Sequence, residues 1–237
     1  MSTPSTAVLF VHGIQGQPGQ FRFLIDALPE DVEICAPLLP GHGQNAKAFH
    51  ASTRRDWLAA VRRETEVLLA QGKRVIYVGH SMGCLLGLLI SRDLGEPYAG
   101  MLLLCCPFLP RVAGRFGDLF RSLGRRREGE DPRVTASREG NSVPVEGFAD
   151  LLRLLRPYVE LFRLMGAARR IRPREPEKLR FFFSENDEVV SAASVRWARK
   201  WPKAEVRVLH GCGHCYFPES AAQTLRKELI ELIEVEK

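Results

Sequence analysis

The stretch Arg74-Val-Ile-Tyr-Val78, followed by Gly79-His-Ser-Met-Gly83 and by an apolar helical run to Leu94, predicts most of this fold. Its first five residues form a short apolar run that is typical of a buried strand. The two glycines flank Ser81 with the spacing G-x-S-x-G, at the point where the strand must turn into a helix. Such a turn accepts only small residues two places either side of the serine. It would project the Ser81 hydroxyl into a cleft.

Similar apolar runs recur along the chain and alternate with segments of helical periodicity. Near-continuous hydrophobicity is typical of parallel strands covered on both faces, and strand–helix alternation favours right-handed crossovers. The sequence therefore predicts an α/β fold, with a doubly wound, mainly parallel sheet of about six strands. The predicted strands are 7–11, 32–35, 74–78, 101–105, 179–183 and 205–209, and the predicted helices are 21–28, 54–70, 82–94, 191–199 and 219–235.

About seventy residues separate the fourth and fifth predicted strands, which is too many for one crossover. We interpret residues 109–174 as a cap inserted into a core formed by residues 1–108 and 175–237. The first half of the cap is rich in Gly and Arg, and the second half, 148–165, has strong helical periodicity with Pro157 expected to kink or divide it. Its predicted apolar face consists of Leu151, Leu152, Leu155, Val159, Phe162 and Met165, and its predicted polar face of Arg153, Arg156, Glu160 and Arg163.

The composition is that of a soluble globular domain, and the charge is unevenly distributed. Of the 237 residues, 45% are hydrophobic and 26% charged, which argues against disordered and fibrous architectures. The chain has 34 basic and 28 acidic residues, and residues 109–174 hold 15 arginines and 8 acids. The whole basic excess therefore belongs to the predicted cap. Basic residues interleaved with exposed aromatics on a nucleic-acid-binding fold are not found, so we expect no nucleic-acid partner. Two explanations of the basic excess remain. The arginines lie on solvent-exposed helix faces, or they contact anionic lipid or an anionic substrate.

Cysteine usage and the N-terminus favour a reducing compartment. The chain starts without a basic segment, and the apolar run 7–11 is too short for a signal peptide or a membrane span. We therefore expect a cytoplasmic protein whose six cysteines serve as small hydrophobic residues. Cys212-Gly-His-Cys215 matches C-x-x-C, so a redox or metal role is the alternative, although no second ligand pair accompanies it.

A nucleophilic serine needs a base, because a free hydroxyl barely ionises near neutral pH. His214 lies in a glycine-flanked loop after the last predicted strand, from which an imidazole can reach back over Ser81. His80 precedes the serine directly, and we expect its ring to point away from the hydroxyl. His214 is therefore the predicted base, in preference to His12, His42, His50, His80 and His210.

The remaining candidates follow the ends of other strands. Asp187 comes just after strand 179–183 and is the predicted partner of the histidine, with Glu185 and Glu188 as rivals. The backbone N–H of Met82, at a helix N-terminus, points to where an oxyanion would form. The N–H of Ile14, in the glycine-rich turn after the first strand, is the predicted second donor.

With serine, acid and histidine in this order on an alternating sheet, the sequence resembles the α/β-hydrolase family. Within that family it is similar to the small carboxylesterases and monoacylglycerol lipases of bacteria. The resemblance implies a triad of Ser81, Asp187 and His214, an oxyanion hole made by the Ile14 and Met82 amides, and a sheet lacking the family's first two strands. It rests on Val11-His-Gly13, Leu39-Pro-Gly-His-Gly43, Gly79-His-Ser-Met-Gly83, Asp187 and Gly213-His214.

The resemblance further implies hydrolysis of carboxylic esters, of short or medium acyl chain or of the monoacylglycerol type. The expected mechanism passes through an acyl-enzyme and requires no metal or organic cofactor. A thioesterase or acyltransferase would use the same three residues, and the sequence does not separate water from another acyl acceptor. A peptidase is a weaker alternative. A non-catalytic lipid- or protein-binding module on this scaffold is an alternative of a different class.

Overall fold

A computed structural model describes residues 5–111, 131–171 and 178–234, and these ranges contain one sheet of six parallel strands. The predicted α/β fold is confirmed, and the sheet is parallel throughout. The spatial order of the strands is β2-β1-β3-β4-β5-β6. The strands are β1 (Thr6–Val11), β2 (Glu33–Cys35), β3 (Arg74–His80), β4 (Gly100–Leu104), β5 (Leu179–Ser184) and β6 (Glu205–Leu209).

The helices follow the predicted pattern with three differences: the predicted helix 21–28 is shorter, and two helices, at Ala46–Ala51 and Pro132–Gly140, were not predicted. The predicted helix 21–28 is a 3₁₀ turn (Pro18–Phe21) followed by α1 (Arg22–Ile25), because Pro29 disfavours helical geometry in the residue before it. Helix α2 (Ala46–Ala51) was not predicted, and the Asn45 side chain caps it by accepting from the Ala48 amide. The others are α3 (Arg54–Ala70), α4 (Met82–Leu94), α5 (Pro132–Gly140), α6 (Phe148–Ala168), α7 (Ala193–Ala198) and α8 (Glu219–Glu234).

Helices cover the sheet on both faces, as the continuous apolar strands require. Alternate residues of β1 point to opposite sides, so Leu9 packs in one apolar cluster and Phe10 in the other. The Leu9 cluster includes residues of α3, α4 and α6, whereas the Phe10 cluster includes residues of α1 and α8. The carboxyl ends of β1, β3, β5 and β6 therefore meet at one edge of a two-sided core, which is where the predicted site residues lie.

Helix α6 belongs to the predicted cap and packs against α2, α3 and α4. The predicted division of this helix into one apolar and one polar face is correct only in part, since Leu151 and Met165 of the predicted apolar face pack in the core. Leu152, Leu155, Val159 and Phe162 are exposed, whereas Leu154, Leu161, Leu164 and Met165 face the core and Glu160 is buried. The helix has two apolar stripes, and the inward one also positions the Glu160 carboxylate to pair with Arg54 of α3 at 3.5 Å and with Arg163.

Pro157 lies inside α6 without dividing it, contrary to one of the two predicted outcomes. A proline has no N–H, so the carbonyl of Arg153, four residues earlier, loses its helical partner. The His50 ring on α2 makes a hydrogen bond to this carbonyl through Nδ1, at 2.8 Å. This contact from a neighbouring helix satisfies the carbonyl and keeps the helix continuous.

Part of the predicted cap lies outside the described residues, namely 112–130 in its glycine- and arginine-rich half and 172–174 at its end. The last residue of the predicted helix 219–235 also lies outside them. Within the described ranges, no helix has the length and the apolar content that crossing a bilayer requires.

Candidate active site

Ser81 occupies a strained turn between β3 and α4, with φ 52° and ψ −118°. The flanking glycines are required sterically. A Cβ on Gly83 would lie 1.9 Å from the Val11 carbonyl oxygen, and one on Gly79 would lie 2.9 Å from backbone atoms at the start of α4. The Ser81 amide donates to the Leu104 carbonyl at 2.9 Å, which ties the turn to β4. Backbone geometry of this kind costs free energy and persists because the surroundings determine it.

The structure brings together the three side chains that the sequence singled out. His214 Nε2 lies 3.0 Å from Ser81 Oγ, and His214 Nδ1 lies 3.1 and 3.0 Å from the two carboxylate oxygens of Asp187. All three residues are buried. The rival acids lie elsewhere, since Glu185 accepts from the Gly211 amide and Glu188 accepts from the backbone amide of His214.

The electrostatics of the Asp187–His214 pair favour their ionised forms. Burial alone would raise the pKa of Asp187, but His214 and the amides of Val190 and Val189 outweigh burial and lower it. Burial alone would lower the pKa of His214, yet the Asp187 carboxylate raises it above 6.5. The carboxylate therefore fixes the imidazole orientation and stabilises the imidazolium that proton transfer would form.

His80 was predicted to point away from the serine hydroxyl, and it makes a contact that sequence reasoning missed. Its Nε2 lies 2.8 Å from the backbone carbonyl of His214, and the two rings are 4.9 Å apart. Burial and the neighbouring His214 lower its pKa to about 3, so the ring is neutral. Because a carbonyl only accepts, Nε2 carries the proton and donates. His80 thereby links the turn at Ser81 to the loop that holds His214.

The loop after β1 (residues 12–16, here the β1 loop) lies beside Ser81. A Cβ on Gly13 would lie 2.9 Å from the Ser81 Cβ, so only glycine allows this approach. Within the described part of the chain, no acceptor takes a hydrogen bond from the amide of Ile14 or of Met82, the two predicted donors. Gln15 follows with φ 56°, an unfavourable value for a residue with a side chain.

Residues of the predicted cap hold the β1 loop in this conformation, through contacts that no sequence motif marks. Ser142 donates through its amide to the Gln15 carbonyl at 2.7 Å and through its hydroxyl to the Gly16 carbonyl at 2.6 Å, and the same hydroxyl oxygen lies 3.1 Å from the Gln15 carbonyl. Tyr158 of α6 donates to the Gln15 side-chain oxygen at 2.7 Å. The Gly43 amide donates to the Ser142 hydroxyl in turn, at 3.1 Å. Hydrogen bonds therefore restrain both the backbone and the side chain of the strained residue Gln15.

A cavity of about 190 Å³ lies beside this site, between the core and α5. His80 and Leu104, which neighbour Ser81 in the chain and in the sheet, contribute to its wall, although Ser81 itself does not. The cavity has polar and apolar walls. The other lining residues are Gly19, Gln20, Phe21, Phe23, Ala136, Glu139, Gly140, Cys215 and Phe217.

Metal-ligating side chains meet at one place among the described residues. His80, Cys105 and His214 each offer a ligand atom within 4.8 Å of the others. His214 already contacts Asp187 through Nδ1 and Ser81 through Nε2, so a metal ion would displace one of these partners. The C-x-x-C cysteines are not part of this group; Cys212 is buried and Cys215 half-buried, and both are free thiols.

Comparison with known proteins shows similarity to acyl-transferring and ester-cleaving enzymes. The dihydrolipoyllysine-residue acetyltransferase component of the acetoin cleaving system of Pseudomonas putida is 25% identical over 233 residues, which cover 94% of this chain. The chain spans 62% of the length of that relative.

Solved structures with the same fold include one from the metagenome-derived lipolytic enzymes LipS and LipT, with TM-score 0.72 and 19% identity over 97% of this chain and 94% of that one. The monoacylglycerol lipase of Paleococcus ferrophilus has TM-score 0.68 and 16% identity over 98% of this chain and 96% of that one. The model of the alpha/beta hydrolase family matches residues 8–227. This range contains all six described strands, except for the first two residues of β1. With its six-stranded parallel sheet and its strained serine turn, the chain belongs to the α/β-hydrolase family.

Proposed function

We propose that this chain is a serine hydrolase that cleaves carboxylic esters through an acyl-enzyme on Ser81. The supporting observation is the continuous series of contacts from Asp187 through His214 to the Ser81 hydroxyl, at 3.0–3.1 Å. Nucleophile, base and orienting acid are in hydrogen-bonding reach of one another, which is the geometry that activates a serine hydroxyl.

In the first step, His214 Nε2 accepts the Ser81 proton while Oγ attacks the ester carbonyl carbon. The carbonyl oxygen becomes an oxyanion, and the amides of Ile14 and Met82 donate to it. Asp187 stabilises the imidazolium. As the tetrahedral intermediate collapses, His214 returns the proton to the departing alkoxide, which leaves as an alcohol. The acyl group stays on Ser81.

In the second step, water takes the place of the alcohol. His214 accepts a proton from water, hydroxide attacks the acyl carbonyl, and the same amides stabilise the second oxyanion. The bond to Ser81 Oγ breaks, His214 returns the proton to Oγ, and a carboxylic acid leaves. Side chains, backbone amides and water supply every group that this route uses.

The substrate class that we infer is a small ester. The cavity beside His80 has a volume of about 190 Å³, which is below the roughly 300–1,000 Å³ of pockets that enclose drug-sized ligands. Its apolar wall includes Phe21, Phe23 and Phe217. We propose that this cavity takes the acyl chain or the alcohol of the substrate, and a short or medium chain fits it better than a long one.

Acyl transfer to an acceptor other than water is the second candidate, and the acetyltransferase relative favours it. The acyl-enzyme on Ser81 would be the same, and the acceptor alone would differ. Acyl-CoA thioesters assayed beside aryl and glycerol esters identify the preferred acyl donor. The ratio of acylated acceptor to free acid, measured with an added alcohol or thiol, separates transfer from hydrolysis.

The experiment compares p-nitrophenyl esters of graded chain length with the wild-type chain and with Ser81→Ala. Loss of the nucleophile is expected to reduce kcat by at least about 10⁴-fold. Ser91→Ala is the matched control, because Ser91 is also buried and lies on the helix that follows Ser81. A fluorophosphonate probe is expected to label Ser81 in the wild type.

Two results would contradict the proposal. One is retention of most activity by Ser81→Ala, which would place the nucleophile elsewhere. The other is failure of the probe to label the wild-type chain, which would favour a non-catalytic binding module.

A further inference from the structure

The outer face of α6 carries a row of large apolar side chains. Phe148, Leu152, Leu155, Val159 and Phe162 recur at alternating intervals of four and three residues, which places them on one stripe of a helix. They are 46–74% exposed. At a rise of 1.5 Å per residue the stripe is about 21 Å long. Apolar surface arranged contiguously like this indicates a binding surface, because soluble proteins rarely leave it uncovered.

This stripe is not needed to hold α6 in place. The opposite face of the helix, with Leu154, Leu161, Leu164 and Met165, packs in the main apolar cluster beside α3 and α4. The Glu160–Arg54 ion pair and the Tyr158–Gln15 hydrogen bond attach the helix to the core from the same side. The outer stripe is therefore available for a partner while the helix remains packed.

The charges along the stripe are positive. By helical spacing, Arg156 and Arg163 follow one edge of the stripe at an interval of seven residues, and Arg169 and Arg170 follow directly after the end of α6 at Ala168. Arg163 pairs with Glu160, whereas Arg156, Arg169 and Arg170 are exposed and form no ion pair with any residue that the structure describes. The two acids of α6 point elsewhere, since Glu160 is buried and Asp150 pairs with Arg153.

We propose that this outer face of α6 binds the surface of an anionic lipid bilayer. Apolar side chains on one face with arginines along its edges are the features of a helix that lies in the interface plane. The aromatic and aliphatic side chains would enter the acyl boundary while the arginines contact lipid phosphates. A second copy of this chain is the less favourable occupant, because packing stripe against stripe would bring the two arginine rows together.

The test measures co-sedimentation of the full chain with vesicles at low salt. Neutral phosphatidylcholine vesicles are compared with vesicles containing about one third phosphatidylglycerol. We expect binding to anionic vesicles to be at least about tenfold tighter, and to weaken when salt screens the arginines. The Ser81→Ala chain is measured in parallel, so the result is independent of the proposed hydrolase activity.

Two paired variants separate the apolar and charged contributions. Leu155→Ser with Phe162→Ser is expected to reduce binding at least about tenfold, and Arg156→Gln with Arg170→Gln to abolish most of the preference for anionic lipid. Val67→Ser on α3 is the matched control, because Val67 is also 46% exposed and should leave binding unchanged. Thermal unfolding checks that each variant is folded.

The proposal is overturned by equal binding to neutral and anionic vesicles at low salt, or by full binding of the Leu155→Ser/Phe162→Ser chain. It is also overturned if sedimentation velocity finds a dimer of the wild type that these substitutions dissociate. That result would assign the stripe to a second copy of the chain.

Discussion

The Asp187 and His214 side chains and the Gln15 residue of the β1 loop are oriented by hydrogen bonds from different parts of the chain. The backbone beside Asp187 also contacts the predicted cap, because Arg111 donates to the carbonyls of Asp187 and Val189. Every hydrogen bond that orients the Asp187 carboxylate and the His214 ring comes from the core, including the amides of Val189 and Val190. The Gln15 carbonyl and side-chain oxygen, in contrast, accept from the cap residues Ser142 and Tyr158.

This difference separates the two catalytic functions that we propose for the site. The proton-transfer pair is fixed by short turns at the ends of β5 and β6, next to the residues it uses. The oxyanion donor Ile14 depends on a strained neighbour, Gln15, that a segment more than a hundred residues away restrains. Changes at Asp187 should therefore alter the base, and changes at Ser142 and Tyr158 should alter oxyanion stabilisation.

The largest effect is expected from Asp187→Asn. This substitution keeps the shape of the side chain but removes the charge that stabilises the His214 imidazolium and can reverse the imidazole tautomer. We expect kcat to fall about 10³- to 10⁴-fold, with a much smaller change in KM. Steady-state kinetics on a p-nitrophenyl ester measure both. Glu185→Gln is the matched control, because Glu185 is exposed, and a comparable loss there would contradict the assignment of the acid.

The pH profile provides a second measure of the same pair. His214 must be unprotonated to act as the base, and Asp187 raises its pKa, so kcat/KM should fall as the pH decreases through a value above 6.5. In Asp187→Asn, burial of the imidazole remains and lowers the pKa, so the residual activity should persist to lower pH. An acid limb that does not move between the two proteins would mean that another group limits the rate.

A smaller effect is expected from the cap side. Ser142→Ala removes the hydroxyl that contacts the Gln15 and Gly16 carbonyls, and Tyr158→Phe removes the bond to the Gln15 side chain. The Ile14 amide would be less well positioned, although not removed. We expect kcat to fall about tenfold for Ser142→Ala and less for Tyr158→Phe, with KM and the acid limb of the pH profile nearly unchanged.

The matched controls for these cap variants are Ser52→Ala and Tyr98→Phe, which remove buried hydroxyl hydrogen bonds that involve neither the β1 loop nor Ser81, Asp187 or His214. Affinity for a trifluoromethyl ketone gives an independent measure, since its tetrahedral adduct needs the oxyanion donors. The comparison between cap and core fails if the cap variants shift the pH profile as Asp187→Asn does.

The parts of the molecule that sequence could predict are those with local signals. Gly79 and Gly83 identify the turn because any Cβ there would collide with backbone, and apolar runs of four or five residues identify the strands. The alternation of strands and helices also shows that Ser81, Asp187 and His214 each come after the end of a predicted strand. Parallel strands bring their carboxyl ends to one edge, so three distant residues could be placed together.

The parts that could not be predicted depend on long-range packing. Helix α6 has two apolar stripes, and only the position of its neighbours α2, α3 and α4 decides which stripe is buried. Ser142 and Tyr158 contact Gln15 across more than a hundred residues, with no motif to mark them. His50 contacts, from another helix, the Arg153 carbonyl that Pro157 leaves without a helical partner.

The smallest effect is expected at His80, which supports the core side of the comparison. His80→Leu removes the donor to the His214 carbonyl, and we expect kcat to fall about fivefold to tenfold at constant KM, as the loss of one buried hydrogen bond implies. His80→Gln keeps an N–H at a similar reach and should restore most of the rate. Equal loss of activity in the glutamine and leucine variants would contradict this role of the hydrogen bond. His80 would then contribute through the packing of its ring against His214 and Phe217.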